Sequence, residues 1–125
     1  MSLLNKLLGN ASNISIEALN EKYNRLLTEN EEIELGFSLL RDVFMFTNKR
    51  LILIDIQGLT GKKQEYLSLP YKHISRFSLE TAGTFDLDAE LKIWISGENS
   101  PTVSKKFNKS IEIYAVQRYL AGKVL

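Results

Sequence analysis

Three carboxylates at a spacing of two form the group of residues most able to do chemistry in this sequence. Asp86, Asp88 and Glu90 would share one face of a β-strand, because side chains alternate between the two faces of a strand. Clustered carboxylate oxygens are the ligands that Ca²⁺ prefers, but same-face side chains on a strand lie about 7 Å apart. That spacing is too wide for all three to bind one ion, so we predict no metal site. The row then serves as a solvated face or as a row of salt bridges between subunits.

Other residue types that carry catalysis are sparse in the chain. His73 is the single histidine, and no G-x-S-x-G or H-E-x-x-H motif surrounds it. Its Pro-Tyr-Lys-His context predicts an exposed turn residue. The chain contains no cysteine, which excludes disulfides, thiolate metal sites and a cysteine nucleophile. We therefore predict a protein that is not an enzyme and that uses no cofactor.

Trp94 lies on the same predicted strand face as the three carboxylates. A tryptophan among charged residues on an outward face favours a contact surface, since tryptophan is enriched at interface hot spots. The alternative is that the N-terminal or the C-terminal helix covers it. Trp94 and the three carboxylates are therefore candidate interface residues, for another subunit or for a bound peptide.

Several cations fall in or beside predicted loops, although the net charge of the chain is only +1. A basic rim of Lys49, Arg50, Lys62 and Lys63 would attract an anionic membrane surface by about 1 kcal/mol per cation. The alternative is that these side chains are solvated and bind nothing. A net charge so close to zero gives no reason to expect nucleic acid as the partner. The segment Gly58–Gly61 precedes a strand rather than a helix, so it is not a phosphate-binding loop.

The first predicted element is a helix that begins at Ser15. Ser15 is a suitable N-cap, and Leu19 and Tyr23 recur at helical spacing in one apolar stripe. The stripe predicts core packing. The alternative is a face offered to another subunit, which makes Leu19 and Tyr23 further candidate interface residues. The N-terminal apolar run is too short for a signal peptide and no segment is long enough to span a membrane, so we expect a soluble protein. Because the chain contains no cysteine, a cytoplasmic location is the default expectation.

From Glu31 onward the apolar pattern changes to a period of two, which predicts β-strands with one buried face. The clearest signal is a hairpin from Asp42 to Ile56, in which two apolar runs flank the polar residues Thr47-Asn48-Lys49-Arg50. Asn48 is expected to supply the positive φ of a tight turn. Further strands are predicted at residues 63–69, 74–79, 86–96 and 103–107.

A second helix is predicted at the end of the chain. Ser110 is its expected N-cap, and Gly122 is expected to end it. The order of elements is thus a helix, about seven short antiparallel strands and a helix. Strands at such regular spacing indicate a sandwich or barrel, and an amphipathic helix at the end is suited to plug an open corner of a twisted sheet.

Three segments carry a resemblance to a known family. FTNKRLILID (46–55), LSLPYKHISRFS (67–78) and TAGTFDLDAELKIWISG (81–97) resemble the bacterial pleckstrin-homology (PH) domain family, formerly a domain of unknown function. The resemblance covers the chain from about Glu31 to its end. It implies a mainly β, α+β fold: a partly open barrel of about seven antiparallel strands with a C-terminal capping helix, here with an additional N-terminal helix.

The resemblance also implies a non-enzymatic module that assembles into ring-like homo-oligomers, with no established ligand or catalytic residue to transfer. Eukaryotic PH domains often bind phosphoinositides through a basic loop between their first two strands. Here that loop is Leu40-Arg41-Asp42, with one cation and one anion, which is not a phosphate cradle.

These observations predict one domain over residues 1–125, with a helical segment at 1–30 and a barrel with its capping helix at 31–125. The predicted function is a PH-like scaffold whose main partner is a second copy of itself. Two alternatives are recognition of a peptide or protein by β-augmentation and peripheral binding to an anionic membrane.

Overall fold

Two antiparallel sheets make up most of the computed structural model, which describes residues 14–39, 41–81, 89–107 and 113–125. The chain divides into two compact units, Met1–Leu69 and Pro70–Leu125. The first unit holds a four-stranded sheet and the second a three-stranded sheet, and the described part of each unit contains one α-helix. The predicted mainly β class with a helix towards each end is therefore confirmed. The single-domain organisation stays a prediction.

The elements follow the predicted order closely. In the first unit a helix α1 precedes four strands in the spatial order β1-β2-β3-β4: α1 Ile16–Tyr23, β1 Ile33–Leu39, β2 Asp42–Thr47, β3 Arg50–Gln57 and β4 Lys63–Pro70. In the second unit three strands in the order β5-β6-β7 precede a helix: β5 Ile74–Glu80, β6 Ala89–Ile95, β7 Val103–Phe107 and α2 Ile113–Val124. Short 3₁₀ turns lie at Asn24–Leu26 and Tyr71–His73.

Both faces of the central strands are buried, so the prediction of one buried face is wrong for β2 and β3. Val43, Phe44, Met45 and Phe46 are all buried although they alternate between faces. One face carries a ring cluster in which Phe44 lies 5.4 Å from Phe37 and 5.5 Å from Phe46, centroid to centroid. The run of consecutive apolar residues in β2, rather than a strict alternation, is the pattern of a strand that is covered on both sides.

Helix α1 covers the other face of this sheet. The Ser15 hydroxyl accepts a hydrogen bond from the Ala18 N–H at 3.1 Å, which confirms the predicted N-cap. Leu19 and Tyr23 are buried to 1% and 4% exposure in a cluster with residues of three strands, namely Ile33, Val43, Met45, Ile52 and Ile54. The apolar stripe is therefore used for core packing within the chain. Contact between these two side chains and another subunit would require the helix to leave the sheet.

Two details of the backbone differ from prediction. Asn30, with φ of 63°, is the one non-glycine residue with positive φ among the described residues, so Asn48 does not take the conformation predicted for it. Gly122 does not end the last helix, which continues to Val124. A glycine in a helix weakens it by about 1 kcal/mol without breaking it, so the packed helix continues past this position. The expected N-cap Ser110 lies outside the described residues.

The close approach of α1 to β1 depends on Gly36. A Cβ atom added at this position would clash with Leu19 Cδ1, and Leu19 is too buried to move aside. The Gly36 carbonyl also accepts a hydrogen bond from the Ile14 N–H at 3.1 Å, so the helix start is attached to the same residue.

We expect Gly36→Ala to lower the free energy of unfolding by about 1–3 kcal/mol, the usual cost of overpacking. Equilibrium denaturation in urea measures this difference. The matched control is Gly122→Ala, where an added Cβ meets no atom within 4 Å. There we expect a gain of about 0.5 kcal/mol, because alanine is the better helix former. Equal effects at the two glycines would contradict the packing described for α1.

Candidate interaction surfaces

An ion pair between a buried carboxylate and a partly exposed arginine lies at the end of the β2–β3 hairpin. The side chain of Glu31 is 0% exposed, and its Oε2 lies 2.8 Å from Arg50 Nε. Oε2 also accepts a hydrogen bond from the Thr47 hydroxyl at 2.7 Å. Oε1 accepts hydrogen bonds from Arg50 Nη2 and from the Thr28 N–H, each at 3.0 Å. The carboxylate thus has four donors, which compensates for the cost of removing its charge from water.

Arg50 extends this network to two other segments. Its Nη2 donates to the Leu26 carbonyl at 2.6 Å, and its Nη1 donates to the Ser68 hydroxyl on β4 at 2.8 Å. A planar guanidinium is suited to such divergent hydrogen bonding. Arg50 is one of the four cations predicted from the sequence to face an anionic surface. Because its guanidinium is committed to the chain itself, we do not include it in the surface proposed below.

The hairpin turn itself is held by side-chain hydrogen bonds. The Thr47 hydroxyl oxygen accepts from the backbone N–H groups of Lys49 and Arg50, each at 3.0 Å. Asn48 Oδ1 accepts from the Glu32 N–H at 2.7 Å, and Asn48 Nδ2 donates to the Asn30 carbonyl at 3.1 Å. The Thr-Asn-Lys-Arg sequence is therefore an architectural motif that ties the turn to the segment entering β1.

The ionisation of Glu31 is strongly affected by this network. Burial raises the pKa of its carboxyl, but hydrogen bonds from Arg50, Thr47 and Thr28 and the charge of Arg50 outweigh burial and lower the pKa from 4.5 to about 2. The structural role of Glu31 was not predicted from the sequence. The available signal was an acidic residue two positions before the first residue of a strand, with a Thr-x-x-Arg turn further along the chain.

The ring of Trp94 packs against an arginine of the neighbouring strand. Arg76 is its cross-strand neighbour on β5, and the guanidinium carbon lies 4.6 Å from the centre of the indole ring. This is a cation–π geometry. The indole Nε1 is buried and has no hydrogen-bond partner among the described residues. The contact between Trp94 and a subunit or peptide stays a prediction.

The carboxylate row is only partly visible in the structure. Glu90 lies between two strands: it is in register with Glu80 on β5 and Lys106 on β7, and it accepts a hydrogen bond from the Ser104 hydroxyl at 2.6 Å. Asp86 and Asp88 lie outside the described residues. The described part of the chain holds no cluster of three His, Asp or Glu side chains that would bind a metal ion. The role of the row in a subunit contact stays a prediction.

Strand β4 is the most exposed strand of the first unit. It lies at the end of the strand order, and most of its side chains are exposed. Tyr66 and Leu67 are 46% and 38% exposed and point to opposite faces. The Tyr66 ring meets Tyr23 edge-on at 6.5 Å. Burial and, secondly, the neighbouring Tyr66 raise the pKa of Tyr23, whose buried hydroxyl has no partner among the described residues.

The remaining predicted cations are exposed but do not form one rim. Lys49 lies in the β2–β3 turn, whereas Lys62 and Lys63 lie at the start of β4. These two places are at opposite ends of β3, an eight-residue strand that is about 25 Å long. His73 is exposed in its 3₁₀ turn, as expected. Neither helix in the described ranges is long and apolar enough to cross a membrane.

Comparison with known proteins decides the family. The model of the bacterial PH domain matches residues 2–124. The chain belongs to the bacterial PH domain family. Among its relatives, the Bacillus subtilis (strain 168) protein YjqA is 57% identical over 122 residues, which are 98% of each chain. YozO of the same organism is 37% identical over 100 residues, covering 80% of this chain and 84% of YozO.

Two solved structures of bacterial PH domains have the same fold. A DUF1696 family protein with a PH domain from Shewanella loihica PV-4 is 47% identical, with a TM-score of 0.84 over 94% of this chain and 99% of that one. A PH domain from Shewanella amazonensis SB2B is 48% identical, with a TM-score of 0.79 over 98% of both chains. The resemblance to bacterial PH domains found in the sequence is therefore confirmed.

We expect the stability contributed by Glu31 to be fully present above about pH 4.5 and to be lost as the pH falls towards 2, because its pKa is lowered on folding. The lowering of the Glu31 pKa from 4.5 to about 2 corresponds to about 3 kcal/mol in the free energy of unfolding. Urea denaturation of the wild-type protein and Glu31→Gln between pH 7 and pH 2 measures it: the difference between the two proteins should shrink by that amount. At the exposed control Glu29→Gln, the effect at pH 7 should stay within about 0.5 kcal/mol. A pH-independent difference at Glu31 would contradict the ionised pair.

We expect Arg76→Ala to uncover the indole of Trp94, the single tryptophan of the chain. Its fluorescence should shift to longer wavelength and become more sensitive to acrylamide, with a loss of about 0.5–1 kcal/mol in stability. Ser78→Ala, at the next outward position of β5 and in register with Lys92, is the control and should leave the emission unchanged. An unchanged emission in Arg76→Ala would mean that another group covers the ring.

Proposed function

We propose that this PH-like domain is a non-catalytic interaction module that assembles into a ring-like homo-oligomer, with strand β4 as a contact surface. The observation that carries the proposal is the exposed end of the four-stranded sheet. β4 is eight residues long, lies last in the strand order and exposes two large apolar side chains, Tyr66 and Leu67. Natural sheets usually shorten, charge or cover such an edge.

The geometry of an edge strand determines how copies would associate. Addition of a neighbouring strand would extend the sheet and bring the neighbour against Tyr66 on one face and Leu67 on the other. If β4 pairs with β4 of a second copy, the contact is self-complementary and assembly stops at a dimer. A ring requires β4 to contact a different surface on the next copy. The mass of the assembly therefore distinguishes the two modes of contact.

The non-catalytic part of the proposal is supported by the environment of Glu31. The pKa of Glu31 is shifted well below its ordinary value, and carboxyls with strongly shifted pKa values often mark active sites. Here the carboxylate is enclosed by Arg50, Thr47 and Thr28 and has no free face for a substrate. The lowered pKa of Glu31 is therefore explained by contacts within the fold and does not require a catalytic role.

The same edge also supports a second candidate function, the recognition of a peptide or of another protein by β-augmentation. Backbone hydrogen bonds to β4 would supply affinity, and the exposed Tyr66 and Leu67 would select the side chains of the partner. A purified protein that stays monomeric while its β4 edge binds an extended peptide would favour this function.

We expect Leu67→Lys to reduce the mass of the assembly, because a charge at the buried centre of a strand-pairing contact is unfavourable. Size-exclusion chromatography with light scattering at tens of micromolar measures the mass. Leu125→Lys is the matched control, since Leu125 is 93% exposed at the chain end and should leave the mass unchanged. A monomeric wild-type protein would rule out self-assembly, and a Leu67→Lys protein of unchanged mass would exclude β4 as the contact.

A further inference from the structure

The loop between β3 and β4 presents a leucine to solvent. Leu59 is 106% exposed, so no part of the described chain packs on its side chain. Glycines with positive φ stand on both sides, Gly58 at 77° and Gly61 at 69°. Lys62 and Lys63 follow directly, and both are exposed. A single apolar side chain at the tip of a tight turn is thus adjacent to two cations.

The loop is held in place by the neighbouring β1–β2 turn. Arg41 Nη2 donates a hydrogen bond to the Gly58 carbonyl at 2.5 Å. A Cβ atom at Gly61 would lie 3.2 Å from Ile56 Cγ2, so the end of the loop packs closely on β3. These contacts fix the base of the loop, and its tip is left to project outward.

We propose that this loop binds the surface of an anionic bilayer, with Leu59 entering the interfacial region and Lys62 and Lys63 contacting lipid phosphates. Arg41 adds a third cation at the same end of the sheet, although the adjacent Asp42 offsets part of its charge. Lys49 is excluded, because it lies at the far end of β3. This surface differs from the basic rim considered from the sequence, which combined residues from both ends.

A bilayer suits this surface better than a protein partner does. A stable protein interface buries at least about 1,000 Å² in total, which a five-residue projecting tip does not supply. A bilayer surface accepts a projecting apolar side chain without a complementary pocket. Each lysine near an anionic surface contributes about fivefold in binding, and burial of one leucine about thirtyfold. We therefore expect weak, reversible binding that is sensitive to salt.

Co-sedimentation with vesicles of phosphatidylcholine and phosphatidylglycerol tests the proposal, with pure phosphatidylcholine vesicles as the neutral comparison. We expect the wild-type protein to bind the anionic vesicles and to lose binding as salt is raised. Leu59→Ser should weaken binding at least tenfold, and Lys62→Gln and Lys63→Gln about fivefold each. Light scattering on the same samples shows whether the variants keep the assembly of the wild-type protein, so that loss of self-association is recognised separately.

Two matched controls separate this loop from general surface effects. Leu125→Ser removes another highly exposed leucine, and Lys49→Gln removes an exposed lysine from the opposite end of β3. Both variants should bind like the wild type. Three results would each overturn the proposal: no binding to anionic vesicles, equal loss in Lys49→Gln and Lys62→Gln, or unchanged binding in Leu59→Ser. None of these results bears on the assembly proposed for β4.

Discussion

The pairing of Glu31 with Arg50 is the interaction on which the first unit depends most. A carboxylate that is completely removed from water is unfavourable unless its charge and its hydrogen-bonding capacity are both satisfied. Here one arginine supplies the charge and reaches β4 and the 3₁₀ turn after α1, while Thr47 and Thr28 supply the remaining donors. The network therefore joins the end of the helical segment, the hairpin and the edge strand. Loss of Arg50 would leave the carboxylate of Glu31 buried without a compensating charge.

With that end fixed, the two faces of the four-stranded sheet can be covered independently. Gly36 lets α1 approach β1 closely enough for Leu19 to pack on the sheet, and the phenylalanine rings of β1 and β2 occupy the opposite face. Strand β4 receives less cover than its neighbours. The β4 edge and the β3–β4 loop contribute few side chains to this core, and most of their side chains are exposed. The proposed self-association uses the β4 edge, and the proposed membrane contact uses the loop.

On the outward face of the three-stranded sheet, the side chains of Trp94 and Glu90 contact side chains of neighbouring strands. Arg76 lies over the ring of Trp94, and Glu90 accepts a hydrogen bond from Ser104 on the neighbouring strand. Cross-strand pairs of this kind stabilise a sheet. They also occupy side-chain groups that a partner could otherwise contact. A partner that used Trp94 would have to displace the guanidinium or share the indole edge with it.

The sequence by itself determined the fold class, the order of the elements and the hairpin, because the period of apolar residues directly reflects local backbone geometry. The Ser15 cap, the stripe of α1 and the limits of β7 also follow from local pattern. Only the tertiary structure decided which side chains are available for function. Glu31 meets Arg50 across 19 residues of chain, Arg76 meets Trp94 between strands, and Lys49 is separated from Lys62 by the length of β3. Such relations depend on strand register and on long-range packing, for which a local pattern carries no signal.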